Sequence, residues 1–272
     1  MFHGIILQET GSKELHFIGI GDKIIFQTGY EEYCHWHNGP LDRRDNPLER
    51  DYCLKEAFTE LGYCLEHKNS LRATYTKCFS TAGLESMRNC WKLDEFFKDK
   101  LSYTVYLLVY GHNKFKVGIT REWRLYHRIG EQPHVVATIL YRTSSAVKAR
   151  DIEVKAGKIE GLTERPRRVL KEVIRSPIGQ HALRLNKMRE KLARVLKLDV
   201  IEDSFLFRVE PADPIEEYMS AKEVSYESIT GKRVEILGYY AGYLLLADVN
   251  TNDKYIVRAS RTMHRDTIKV LG

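Results

Sequence analysis

An α+β fold is expected for this 272-residue chain, and three observations predict it. Short apolar strands bounded by Gly, Asn and Asp turns recur at both ends and in the centre. Between residues 146 and 197 the apolar side chains switch to helical spacing. All five cysteines, Cys34, Cys53, Cys64, Cys78 and Cys90, fall within the first hundred residues. The chain divides accordingly into a zinc-ribbon-like N-terminal β region (1–100), a central domain with a basic helical extension (101–208) and a small C-terminal β module (209–272). This length buries a substantial core and needs no disulfide framework.

Gly4 to Leu7, Leu15 to Ile20 and Lys23 to Gln27 read as strands, with Gly21-Asp22 as a tight hairpin turn between the last two. Cys34-x-x-His37 and Cys64-x-x-His67 follow, and two-residue spacing lets both side chains of a pair enter one tetrahedral zinc site. The insertion between the pairs, Asn38 to Arg50, has the composition of a surface loop. Buried thiols without a metal are the alternative. Cys53, Cys78 and Cys90 compete as ligands, and a second zinc would have to recruit His35 or a more distant donor. Leu54, Ala57, Phe58 and Leu61 predict a helix, and Asp94-Glu95-Phe96-Phe97 a helical approach to the centre.

In the central domain a buried strand, Val105 to Val109, meets the turn residues Gly111-His112-Asn113 and reverses into Phe115 to Ile119. Thr120 then N-caps a helix that carries Arg121, Arg124 and Arg128 and stops at Gly130. A phenol (Tyr106), a glycine that lets backbone approach closely (Gly118) and arginines on the next helix make a cradle for a phosphodiester. Tyr106 reads equally as core filling. Lys116 is a phosphate contact or a proton-transfer group, and His112 and His127 are available as bases. Ala146, Ala149, Ile152 and Ala156 form the apolar stripe of a later helix, with Glu153 at its border.

Arg165, Arg167, Arg168, Lys171 and Arg175 form the densest basic run. The helix from Gln180 to Lys197 follows, with the stripe Leu185, Met188, Leu192, Val195 and Leu196. Its other positions hold Arg184, Lys187, Arg189, Lys191 and Arg194, a second surface for phosphate contact. Val209 to Pro214 reads as a linker. Arg233 to Leu237, Tyr243 to Val249 and Tyr255 to Arg258 are strands, the last two joined at Asn250 to Asp253. Tyr239, Tyr240 and Tyr243 are packing residues or stack on bases.

The segment Tyr103 to Arg128 resembles the GIY-YIG nuclease superfamily. Thr104-Val105-Tyr106 stands for the first tripeptide and Lys116-Val117-Gly118 for the second, Arg128 (or Arg124) for the helix arginine and Glu153 for the later carboxylate. Lys116 replaces the second tyrosine, as in sub-families that read Lys-(Ile/Val)-Gly there. The resemblance implies a small antiparallel sheet flanked by helices and a catalytic set of Tyr106, Lys116, Arg128 and Glu153. A Mg2+ or Mn2+ ion would complete the site with water and substrate phosphate. The whole chain also resembles an archaeal and bacterial family of unassigned activity, with a Cys-rich N-terminal third and a Gly-Tyr-Leu-Leu-type β segment.

Residues 101–200 carry a net charge of +12, while 1–100 and 201–272 each carry −3. Such clustering points to a polyanion partner, DNA or RNA, with a solvated helical surface as the plain alternative. Gly118, Arg121, Arg124, Arg184, Lys187 and Lys191 are the expected contacts. The apolar runs are too short to span a bilayer and the first residues lack a signal peptide's pattern, so a cytoplasmic protein without membrane contact is expected. The leading expectation is a metal-dependent endonuclease. A catalytically inactive nucleic-acid binder comes second, and a zinc-containing assembly factor third.

Overall fold

The computed structural model describes residues 5–8, 14–27, 32–111, 114–162, 170–199, 205–208, 215–259 and 268–271. In chain order the elements begin with β1 (Ile5–Gln8), β2 (Leu15–Ile18), β3 (Lys23–Phe26), α1 (Leu71–Ser80), α2 (Gly83–Phe97), β4 (Tyr103–Val109) and β5 (Phe115–Arg121). They continue through α3 (Leu125–Gly130), β6 (Val136–Thr143), α4 (Ala146–Gly157), α5 (Leu170–Arg175), α6 (Ile178–Leu196) and β7 (Phe205–Phe207). The last are α7 (Ile215–Ser220), β8 (Lys222–Glu223), β9 (Arg233–Tyr240), β10 (Tyr243–Asp248), β11 (Lys254–Arg258) and β12 (Ile268–Val270). The class is α+β, as the alternation of periods requires. Among the described residues no helix is long and apolar enough to cross a membrane.

Two compact units partition the chain: Met1–Gly39, Asp45–Lys68 and Glu210–Gly272 form unit 1, and Pro40–Arg44 with Asn69–Val209 form unit 2. The three expected segments therefore regroup. The cysteine-bearing stretch belongs with the C-terminal strands, while α1 and α2 belong with the central domain.

Unit 2 is built on an antiparallel sheet in the order β5-β4-β6-β7. Its central strand β4 is buried at all seven positions, because Tyr-Thr-Val-Tyr-Leu-Leu-Val offers β-branched, aromatic and apolar side chains to both faces. Both α4 and α6 touch β4, and α2 packs on α4. The stripe of α4 is buried as its spacing requires, at Ala146, Ala149, Ile152 and Ala156. The N-terminus of α4 is capped twice: Ser145 Oγ accepts from the Lys148 N–H, and the Asp94 carboxylate of α2 accepts from the N–H groups of Ala146 and Val147. Cys78 of α1 and Cys90 of α2 form a buried disulfide, a crosslink the composition did not call for.

The helix expected to start at Thr120 starts later, at Leu125 after a 3-10 turn, Glu122–Arg124. Thr120 pairs with Thr104 and stays in β5. On α6 the buried face is His181, Leu185, Arg189, Leu192 and Ala193. Val195, expected in the stripe, is exposed, and Arg189, expected outside it, is buried. The run Arg165 to Arg168, His112 and the linker before Ile215 lie outside the described residues.

Unit 1 holds a six-stranded sheet in the order β12-β3-β9-β10-β11-β8 and a separate pair, β1-β2. Gly21-Asp22 is therefore a corner between two sheets and not a hairpin: Gly19 N–H donates to Asp22 Oδ2 and Gly21 N–H to the Ile236 carbonyl. Along β9 burial alternates with period two, and Val234 and Ile236 face the core with Ile24, Phe26, Leu244 and Leu246. Ala241 and Gly242, both at positive φ, turn β9 into β10. Tyr240 and Tyr243 are buried, which removes them from base stacking.

Around the cysteines the expected ribbon is absent among the described residues. Two isolated bridges, Tyr33↔Glu56 and His37↔Tyr52, join an irregular antiparallel pairing. The helix expected over Leu54 to Leu61 does not form, because this pairing takes its backbone: Cys34 N–H donates to the Lys55 carbonyl and Ala57 N–H to that of Glu32.

Candidate functional site

Four side chains of unit 1, Cys34, Cys53, Cys64 and His67, bring their ligand atoms within 4.8 Å of one another and can hold a metal ion such as zinc. The spacings suit a tetrahedron. Cys53 Sγ lies 3.9 Å from Cys64 Sγ, and His67 Nδ1 lies 3.3 Å from Cys64 Sγ and 3.7 Å from Cys34 Sγ. Zinc–ligand bonds of about 2.0–2.3 Å imply edges of about 3.5–3.8 Å.

Cys53 therefore takes the place expected for His37. The reason is local backbone. Cys64 and His67 sit on a tight turn, with the N–H groups of His67 and Lys68 donating to the Cys64 carbonyl, so residues three apart share a side. Cys34 and His37 sit on extended chain, where residues three apart point to opposite faces. His37 accepts instead from Gly39 N–H at 3.1 Å and lies against the Tyr52 ring. In the same pairing Cys53 stands opposite Trp36, on the face of Cys34. Trp36 stacks on the His67 ring at 4.1 Å and 2°.

Burial pushes the Cys34 thiol up to about 11. Burial also opposes the Cys64 thiolate, but N–H donors of His67 and Glu66 and the neighbouring thiols outweigh it and lower its pKa. Cys78 and Cys90, tied to each other, are not ligands. His35 is engaged by Glu32 at 2.9 Å.

In unit 2 the expected residues converge on Tyr106. Tyr106 and Gly118 are directly opposed on β4 and β5, and Lys116, two residues along, falls on the same face. The β4–β6 register shifts between Val105 and Tyr106, a bulge beside the tyrosine. A Cβ at Gly118 would lie 2.7 Å from both Cζ and Oη of Tyr106. Gly118 thus makes room for the phenol of its own sheet, a different use from the ligand approach expected.

Tyr106 is 1% exposed. Burial raises its pKa, opposed by the Arg128 guanidinium and a hydrogen bond from Gln132, while the Glu153 carboxylate adds to the rise. Gln132, which sequence spacing does not mark, donates to Tyr106 Oη at 2.9 Å and accepts from Lys116 Nζ at 2.7 Å. Glu131 binds Arg124 at 3.0 Å and Arg128 at 3.4 Å, so both guanidiniums lean on one carboxylate. Arg128 remains 44% accessible. Glu153 is paired with Arg150, whose guanidinium also donates to Ser86 Oγ and the Thr81 carbonyl.

Of the expected nucleic-acid contacts, Arg121 is excluded by position. It is 4% exposed, donates to the Leu41 carbonyl and lies over the Tyr75 and Trp123 rings. Arg189 is likewise buried, over Phe205. Arg184, Lys187 and Lys191 are exposed on one side of α6. His127 has its pKa lowered, by burial first and then by Arg44 and Arg124. No family model, curated protein or solved structure matches the chain.

Proposed function

We propose that the protein acts on nucleic acid and that the tyrosine cluster of unit 2 is a GIY-YIG-type site for metal-dependent phosphodiester hydrolysis. The convergence of Tyr106, Gly118, Arg128 and Glu153, scattered along β4, β5, α3 and α4, carries this reading. Arg128, with Arg124 beside it, offers planar donors to two phosphate oxygens once Glu131 releases them. With its pKa raised, Tyr106 stays a neutral phenol, so its part is hydrogen-bond donor to a phosphoryl oxygen and not base. Glu153, paired with Arg150, would hold a magnesium or manganese ion together with water and substrate. Such an ion would polarise the phosphoryl group. For the cluster of unit 1 the proposed occupant is a structural zinc ion, since three thiolates and an imidazole are a usual set for it.

A second reading, binding without cleavage, is favoured by the Arg150–Glu153 pair, which already neutralises the carboxylate, and by Lys116 at the second tyrosine position. The deciding experiment is a cleavage and binding assay on labelled DNA and RNA with Mg2+ or Mn2+, run beside Glu153→Gln and Arg128→Ala. Cleavage lost in both variants supports the nuclease. Binding with no cleavage supports the second reading, and no binding at low salt removes both.

A further inference from the structure

The side-chain amide of Gln132 is buried and uses all four of its hydrogen-bonding positions. Nε2 donates to Tyr106 Oη at 2.9 Å and to the Arg128 carbonyl at 2.8 Å. Oε1 accepts from Lys116 Nζ at 2.7 Å and from Tyr110 Oη at 3.4 Å. The two ends of a glutamine amide are often interchangeable. Here two neighbours distinguish them. The Lys116 ammonium only donates, so Oε1 must face it, and the Arg128 carbonyl only accepts, so Nε2 must face it. Tyr106 Oη consequently receives a hydrogen from Gln132, as it does from the Arg128 guanidinium, and the phenol's own hydrogen goes to neither.

We propose that Gln132 is a positioning residue for Tyr106, pinned by Lys116 and the Arg128 carbonyl so that the phenol accepts from the protein and offers its O–H to the phosphodiester. The substrate half of this inference rests on the reading of unit 2 as a phosphodiesterase. It also assigns Lys116 a task. A tyrosine at 116 can donate and accept and would leave the Arg128 carbonyl alone to orient the amide, whereas an ammonium is a second neighbour that allows one orientation only. A polar network closed in this way is rigid, and a half-satisfied one is not.

The test uses the full chain without and with substrate. In the 1H–15N spectrum the Gln132 side-chain pair, identified by its loss in Gln132→Glu, should exchange with water about tenfold more slowly than exposed amides. Lys116→Met, which leaves both Nε2 bonds but removes one of the two neighbours that orient the amide, should weaken that protection. In cleavage assays Gln132→Leu and Gln132→Glu should both lower kcat about tenfold or more with KM within about twofold. The glutamate variant is the discriminating one, because it still accepts from Lys116 but no longer donates to Tyr106. Wild-type kcat in Gln132→Glu would reduce Gln132 to an anchor for Lys116 and overturn the inference, as would a freely exchanging amide in the wild-type chain. If the wild-type chain cleaves nothing, the phosphodiesterase reading falls, and amide protection alone then decides whether Gln132 orients Tyr106.

Discussion

Cys53 and His37 carry the sharpest prediction for single residues. Cys53→Ala should drop bound zinc from about one ion per chain to well below half, by elemental analysis after gel filtration, and His37→Ala should leave it unchanged. The opposite result would restore the two Cys-x2-His pairs as the ligand set. Three of the four candidate ligands, Cys34, Cys64 and His67, were legible in the sequence; the Cys64–His67 spacing works where the backbone turns, while the same spacing from Cys34 does not bring in His37 on extended chain, and spacing alone does not say which backbone applies. Tyr106, Gly118, Arg128 and Glu153 stand in the sequence as an ordered set, and folding puts Tyr106 opposite Gly118 and within electrostatic reach of Arg128 and Glu153. Gln132 was not, since its importance comes from four partners brought together by folding. Arg121 misled for a related reason: among the arginines of the sequence, nothing marks the buried one that packs against two aromatic rings.

For the elements, one carboxylate of α2 caps the N-terminus of α4. Asp94 caps two N–H groups of α4 and accepts from Ser145 Oγ at 2.7 Å, so Asp94→Ala should cost about 1–2 kcal/mol in a denaturant melt with unchanged m-value, and Asp94→Asn less. At the β10–β11 turn, Asp248 accepts from Lys232 at 2.9 Å and from the Asn250 and Thr251 N–H groups, and these lower its pKa. A lowered carboxylate contributes stability that is present above its unfolded value of about 3.9 and is lost as pH falls through the folded value. Asp248→Asn should therefore melt below wild type at neutral pH, and the gap should shrink below about pH 4 in a thermal melt series. A constant gap would mean that the carboxylate's charge is irrelevant there. The stripe of α4 was legible because four apolar residues kept helical spacing in one window. Leu54 to Leu61 also had helical spacing, but it was overridden by backbone pairing with residues 32–34, a non-local event that periodicity does not contain.

At the scale of the whole molecule, the +12 of residues 101–200 is the feature that composition shows best. Part of it is internal, since Arg121 and Arg189 are buried, but Arg184, Lys187 and Lys191 remain on the surface of α6. Replacing these three by alanine should flatten the salt dependence of duplex DNA binding by up to about three units of log–log slope, measured by titration at several salt concentrations. An unchanged slope would leave α6 a solvated face. The division into units was the least legible property, because segments distant in sequence meet in unit 1 and local patterns carry no record of such pairing. That division has a consequence for synthesis. The ribosome makes β3 early, yet its neighbour β9 follows only after the whole stretch that forms unit 2. Until then β3 waits with both edges unsatisfied, exposed to wrong pairing, while unit 2 is already complete and free to fold. The candidate metal ligands at residues 34, 53, 64 and 67 emerge in that same interval, so an ion bound there would gather the early half of unit 1 before its six-stranded sheet exists.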